Sequence, residues 1–313
     1  MAYPDPLIIP PLSLPHQQTF VVLHGRGSSG DAFGPPLLDT LLSPKEPSLI
    51  SSGRPVAMQS LATAFPHARF VFPSASRRRA ALYKRMPTHQ WFDYWNLEPP
   101  ATEREELQNP GLRETTVYLH RLLRAEIELV PGGAKNVVVG GLSQGCAASL
   151  VALLLWEGEP LGAFVGMSGW LPYAYRMGDL VGMGTEGDGD DIFDPFQRND
   201  PNEGETQDTA SVPDRPIDEV TTWLREQIDL DRGDTVPRNN NATNMTPVFL
   251  GHGVLDDKVS VELGRMARDT LTKLGLHVTW KEYEGLGHWY SSDMLRDLTT
   301  HLFSPLRPEE VED

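Results

Sequence analysis

The sequence predicts an α/β fold, with a mostly parallel central sheet and helices on both faces. Two observations carry this. Short β-rich runs recur along the chain, and longer segments with helical spacing of apolar residues separate them. Strands that alternate with helices pair in parallel, because each crossover helix returns the chain to the same end of the sheet. The 313 residues are enough to bury a large core, as one large domain or two small ones.

The first strand is Thr19-Phe-Val-Val-Leu-His24, a buried run that leads at once into glycines. Leu37–Leu42 suits a helix, and Arg69–Pro73 is a second strand. Asn136–Gly140 and Ala163–Met167 are the third and fourth. Pro247–His252 and His277–Tyr283 complete the six. Thr115–Leu129, Gly145–Trp156 and Val261–Leu274 are the helices between them.

Two stretches break the rhythm. Ser43–Gln59 is a Pro/Ser-rich insertion read as a surface loop. Arg176–Thr246 is longer and rich in Gly, Asp, Asn and Pro. Inside it, Pro216–Leu230 reads as a helix with Val220, Trp223, Leu224 and Ile228 on one face, and Pro216 suits its first turn. This helix is either packed on the core or part of a lid over the substrate mouth. The domain plan is therefore a Pro-rich extension over 1–18 and one domain over 19–313, interrupted by the 176–246 insertion.

Composition excludes several classes. A net charge of −16 would repel polyphosphate, so no nucleic-acid partner is expected. Residues 176–234 hold 17 acidic and 5 basic side chains, so most of that charge belongs to one segment. The single cysteine, Cys146, rules out an intrachain disulfide and fits a reducing, cytoplasmic setting. The N-terminal residues lack a basic region and are interrupted by prolines, unlike a secretory signal. No run approaches the ~20 apolar residues of a membrane helix, so no integral membrane association is expected. Asn241-Ala-Thr and Asn244-Met-Thr read as chance glycosylation matches.

The chemistry begins at Gly141-Leu-Ser143-Gln-Gly145, a G-x-S-x-G sequence with a strand before it and an apolar helix after it. That context defines a nucleophile elbow, which lifts the Ser143 hydroxyl above the sheet. The Gln144 backbone N–H, at the helix start, is positioned to stabilise an oxyanion. A serine needs a base, and the base needs an acid that orients it, in the chain order Ser, acid, His. His288, in a Gly-rich loop after the last strand, is the base. His24 and His252 read as loop-shaping residues. The acid is Asp256 or Asp257, which adjoin each other after the strand ending at His252, and the residues alone barely separate them. His24-Gly-Arg-Gly27 follows the first strand, and there the Arg26 backbone N–H is the second oxyanion donor.

These residues resemble the phospholipase/carboxylesterase family of α/β-hydrolases, which includes acyl-protein thioesterases and bacterial and fungal carboxylesterases. Six motifs occur in its order: Leu23-His-Gly-Arg-Gly, Met86-Pro-Thr-His-Gln-Trp-Phe-Asp93, Gly141–Gly145, Ser168-Gly-Trp-Leu-Pro172, His252-Gly-x-x-Asp256-x-x-Val259 and Gly287-His288. The resemblance spans roughly Thr19–Pro172 and Pro247–Phe303. It implies a Ser143–Asp256–His288 triad and favours Asp256 over Asp257, four residues after His252. It carries the oxyanion donors onto Arg26 and Gln144, and it places Trp91 near the active site. The implied substrates are carboxylic esters or thioesters, including those of S-acylated proteins and lysophospholipids. The long insertion, and Arg26 where thioesterases have an apolar residue, are departures that bear on the substrate.

Trp91, Phe92, Trp95 and Trp170 suit an apolar pocket or the core equally well, and Trp91 and Trp170 are taken as pocket candidates. Arg77–Arg79 with Lys84 and Arg85 reads as a solvated face, with a phosphate-bearing ligand as the sharper alternative. Asp188–Asp194 lacks the glycine and distal glutamate of a calcium loop, and no metal or cofactor is expected. Two rivals share the motifs. One is a biosynthetic acyl transferase or cyclase with the same triad. The other is a non-catalytic binding protein on this fold.

Overall fold

The computed structural model describes residues 3–44, 59–183, 215–230 and 245–306. Seven strands form the central sheet: β1 (Leu7–Ile9), β2 (Gln18–Leu23), β3 (Ala68–Phe72), β6 (Val137–Leu142), β7 (Ala163–Met167), β8 (Val248–Gly253) and β9 (Val278–Tyr283). Their spatial order is β1-β3-β2-β6-β7-β8-β9. Every pairing is parallel except β1 with β3. All six predicted strands form, within a residue or two of the expected bounds.

The central strands of the sheet are buried on both faces. In β2, Val21 and Leu23 enter one core, and Phe20 and Val22 enter the other. Successive side chains of a strand point to opposite faces, so a central strand covered by helices on both sides must be apolar throughout. The first core is closed by α3 (Asn109–Leu129), α4 (Gln144–Leu154), α5 (Ala174–Leu180) and α7 (Val261–Lys273). The second is closed by α1 (Gly30–Asp39), α2 (Leu61–Ala64) and α8 (Ser292–Phe303). Every residue of α4 is buried, and it lacks a polar face. Its mid-helix hydroxyl, Ser149 Oγ, is satisfied by donating to the Gly145 carbonyl at 2.7 Å.

Within the Pro-rich stretch, Leu7–Ile9 pairs antiparallel with Phe70–Phe72 at the sheet edge, and Gln18 opens β2. A three-residue strand among prolines carries no readable period, and an edge strand is where proline is tolerated. The basic run forms β4 (Arg77–Ala80), which makes a hairpin with β5 (Met86–His89). Arg77, Arg79, Lys84 and Arg85 are exposed, while Arg78 pairs with Glu114 at 2.7 Å.

The helix expected inside the insertion is α6 (Pro216–Gln227). Ile217, Val220, Leu224 and Ile228 are buried in the first core, and Trp223 meets Tyr173 edge-on at 5.7 Å. α6 is thus a packed helix. Residues 184–214 and 231–244 of the insertion, which include Asp188–Asp194 and the asparagines of both sequons, lie outside the described residues, as do residues 45–58. Leu224→Ala should destabilise the protein by about 2–5 kcal/mol in urea unfolding. A change below about 0.5 kcal/mol would mean that α6 does not belong to the core.

Candidate active site

β6 ends at Leu142, and α4 begins at Gln144. Ser143 makes the turn between them with φ 57° and ψ −124°, a backbone region that side chains other than glycine rarely occupy. The turn is anchored at both ends. Ser143 N–H donates to the Met167 carbonyl at 2.8 Å, and Ala147 N–H donates to the Ser143 carbonyl at 3.0 Å. Its glycines are required by crowding: a Cβ at Gly141 would lie 2.7 Å from the Leu23 carbonyl oxygen, and one at Gly145 would lie 2.5 Å from it.

The loops after β8 and β9 supply two more groups. They are tied together where Leu255 N–H donates to the Leu286 carbonyl at 2.9 Å. His288 Nδ1 lies 2.8 Å from Asp256 Oδ2, and His288 Nε2 lies 2.8 Å from Ser143 Oγ. Asp257 instead pairs with Lys258 at the surface, 2.9 Å away. The structure therefore brings Ser143, His288 and Asp256 into one hydrogen-bonded line and leaves Asp257 out of it.

Asp256 is fixed by four donors. The Lys258 and Val259 N–H groups donate to Oδ1, each at 2.9 Å. His252 Nε2 lies 3.2 Å from Oδ2, on the same oxygen as His288. That His252 nitrogen is also 2.9 Å from the Val259 carbonyl. Both neighbours accept, so Nε2 is the protonated nitrogen of His252. His252 therefore touches the acid directly, beyond its expected role in shaping the loop. Burial alone would raise the Asp256 pKa, but the hydrogen bonds from His252, His288 and Val259 outweigh it and hold the carboxyl well below the usual carboxylate range. As a carboxylate, Asp256 only accepts. His288 Nδ1 then carries the proton, and Nε2 offers its lone pair to the Ser143 O–H.

The opposite wall is the loop after β2. A Cβ on Gly25 would lie 3.4 Å from Ser143 Cβ, so the Gly25-Arg26 backbone passes beside Ser143. His24, at the root of that loop, accepts from Ala75 N–H through Nε2 at 3.0 Å and donates from Nδ1 to the Gly25 carbonyl at 2.7 Å. Burial pushes the His24 pKa down to about 4, so it is neutral at physiological pH. Gln144 opens α4, where the first N–H groups have no acceptor within the helix.

Trp91 and Trp170 do not line the cavity at Ser143, contrary to expectation. Trp91 is fully buried and donates from Nε1 to the His24 carbonyl at 2.8 Å. The Gln144 side chain accepts from Trp91 N–H at 3.0 Å and donates to the Phe92 carbonyl at 2.7 Å. Trp91 and Phe92 thereby brace the two segments that carry Arg26 and Gln144. Trp170 packs edge-on against Phe92 and Tyr94, behind the wall. The cavity, about 460 Å³, is faced instead by Tyr94, Trp95, Leu97, Leu82 and Trp289, with Ser143 and His288 at its base. Its volume suits a small-molecule or acyl ligand. Trp95 was among the aromatic candidates in the sequence, whereas Leu82 and Trp289 carried no signal beyond being apolar. Cys146 is buried beside Gly166 and Gly169, and burial pushes its thiol up to about 12, which makes it no competitor to Ser143.

The architecture and the site together define an α/β-hydrolase. Solved structures agree on the fold: maize acyl-protein thioesterase 2 matches with TM-score 0.61 and 21% identity, covering 97% of this chain and 100% of that one. Arabidopsis thaliana SOBER1 matches with TM-score 0.59 and 20% identity, covering 93% and 100%. The family profile described as Phospholipase/Carboxylesterase matches residues 51–180 and 232–304, and the chain belongs to that family. Among curated relatives, acyl-protein thioesterase 1 of Yarrowia lipolytica is 25% identical over 303 residues, 96% of each chain. The Gibberella zeae protein of the same name is 25% identical over 308 residues, 97% of each.

Asp256→Asn should destabilise the fold by roughly 1–3 kcal/mol at pH 7, because an acceptor oxygen becomes a donor facing two imidazoles. The folded pKa of Asp256 is depressed, so its stabilising contribution is complete above the unfolded value, about 3.9, and is lost as pH falls below it. Urea unfolding at pH 7 and pH 3 should show the gap between wild type and variant narrowing at the lower pH. A gap that is constant or wider would contradict the assignment.

Proposed function

We propose that this protein is a serine hydrolase that cleaves carboxylic esters or thioesters through an acyl-enzyme on Ser143. The observation that carries the proposal is the line Asp256–His288–Ser143, with two 2.8 Å contacts, at the base of an aromatic-walled cavity. Its relatives named acyl-protein thioesterase and carboxylesterase support the same chemistry.

His288 Nε2 takes the Ser143 proton as Oγ attacks the substrate carbonyl. Asp256 holds Nδ1–H and stabilises the imidazolium that forms. The tetrahedral oxyanion is received by the backbone N–H groups of Arg26 and Gln144, each worth roughly 3 kcal/mol in the transition state. His288 returns the proton to the departing alcohol or thiol. Water then enters, is activated by the same nitrogen, and releases the acid. Ser143 is 8% exposed and His288 opens onto the cavity, so water has a path to both.

The acyl transferase or cyclase alternative is not favoured. It needs a site that excludes water, and among the described residues of the insertion none stands on the cavity wall. The 176–246 segment stays in the proposal as an insertion into a single hydrolase domain. Among the described residues no helix is long and apolar enough to cross a membrane. The single cysteine supports a cytoplasmic setting.

Ser143→Ala should lower kcat for a p-nitrophenyl ester by at least about a thousandfold while the thermal transition is retained. Turnover that matches wild type would end the proposal.

A further inference from the structure

The motif His252-Gly-x-x-Asp256-x-x-Val259 holds two residues with no part in the reaction above, His252 near the end of β8 and Val259 just past the acid. The His252 ring is buried, with Cys146, Leu250, Ala267 and Trp280 around it. An apolar side chain would fill such surroundings at less cost, because a buried polar group must be hydrogen-bonded to offset its desolvation. Among the described residues Nδ1 has no hydrogen-bond partner, so the polar contacts of the ring fall to Nε2. Both neighbours of Nε2 belong to the turn of the acid: the Val259 carbonyl at 2.9 Å and Asp256 Oδ2 at 3.2 Å. Val259 N–H in turn donates to Asp256 Oδ1 at 2.9 Å. The imidazole, the peptide groups of Val259 and the carboxylate thus close a ring of polar contacts that includes both oxygens of Asp256.

Oδ2 is also the oxygen that meets His288 Nδ1, at 2.8 Å. The terminal torsion of an aspartate is broad, so the N–H groups on Oδ1 fix one oxygen and leave the direction of the other soft. His252 supplies a contact on Oδ2 that does not come from the base itself. Burial raises the Asp256 pKa, and His252 leads the groups that lower it, ahead of His288 and Val259. Gly264 of α7 makes room for the ring: a Cβ there would lie 2.5 Å from His252 Nδ1 and 2.6 Å from Trp280 Cη2. His252 does not stand on the cavity wall.

We infer that His252 is a positioning residue for ester cleavage, which acts through Asp256 by fixing the oxygen that orients His288. This rests on the hydrolase reading above. A residue that acts this way changes the chemical step and leaves substrate binding alone.

The test is steady-state hydrolysis of a p-nitrophenyl ester by the full chain. His252→Leu should lower kcat by about tenfold to a hundredfold and leave KM within about twofold of wild type. His252→Gln keeps an N–H donor at similar reach and should lose less than the Leu variant. Gly264→Ala crowds the ring from α7 without removing a polar group, and should lower kcat by about threefold or more. In an Asp256→Ala background, His252→Leu should cost less than about threefold, because the group it acts through is gone. Thermal melts identify the folded variants. If the Leu variant is not among them, wild-type kcat in both the Gln and the Gly264→Ala variants overturns the inference. With a folded Leu variant, wild-type kcat, a loss confined to KM, equal losses in Leu and Gln, or the same loss with and without Asp256 overturns it and leaves the hydrolase reading intact. Full activity in Asp256→Ala alone, or no ester cleavage by the wild type, overturns both.

Discussion

Everything at the site depends on the backbone of Ser143 being held at φ 57°. A relaxed extended or helical residue at that point would carry the side chain back into the sheet or the helix, away from His288. The surroundings over-determine the turn. β2 presses the Leu23 and His24 carbonyls against Gly145, β7 accepts the Ser143 N–H through Met167, and α4 captures the Ser143 carbonyl. Strain of order 1–3 kcal/mol persists because two buried cores would have to move to release it.

A polar layer then sets the chemistry. His24, Trp91 and Gln144 are each fully buried, and each places hydrogen-bonding atoms on a neighbouring backbone segment. Together they join the turn after β2, the 90–92 segment and the start of α4 into one unit. Buried polar groups satisfied in this way rigidify the positions they connect. On the other side, His252 and His288 meet on a single oxygen of Asp256. The groups of the candidate site all come from the carboxyl ends of β2, β6, β8 and β9, the edge of an open α/β sheet where ligands bind.

Much of this was legible in the sequence, for physical reasons. Strands buried on both faces must be largely apolar, and that made β2, β6, β7 and β8 readable, whereas β9 at the sheet edge mixes exposed and partly buried side chains. An elbow tolerates only small residues beside its serine, and that marked Ser143. The apolar stripe of Pro216–Leu230 foretold a helix, but not whether it packs on the core or covers the substrate mouth. Other features had no local signature. β1 is too short for a period. The hairpin of β4 and β5 is built from a charged run whose pairing depends on its partner strand. Trp91 shows the limit most clearly: whether an aromatic faces a cavity or braces a backbone depends on contacts across the fold. The carbonyl of His24 and the side chain of Gln144 supply them, 67 and 53 residues away in sequence.

The central claim is that Ser143 is the activated nucleophile, and its direct test is to let a fluorophosphonate react with the folded protein and to map the adduct by peptide mass spectrometry. A single adduct on Ser143, lost after prior unfolding, is the predicted result. No adduct on folded protein, or one on another residue such as Ser168, would contradict the account.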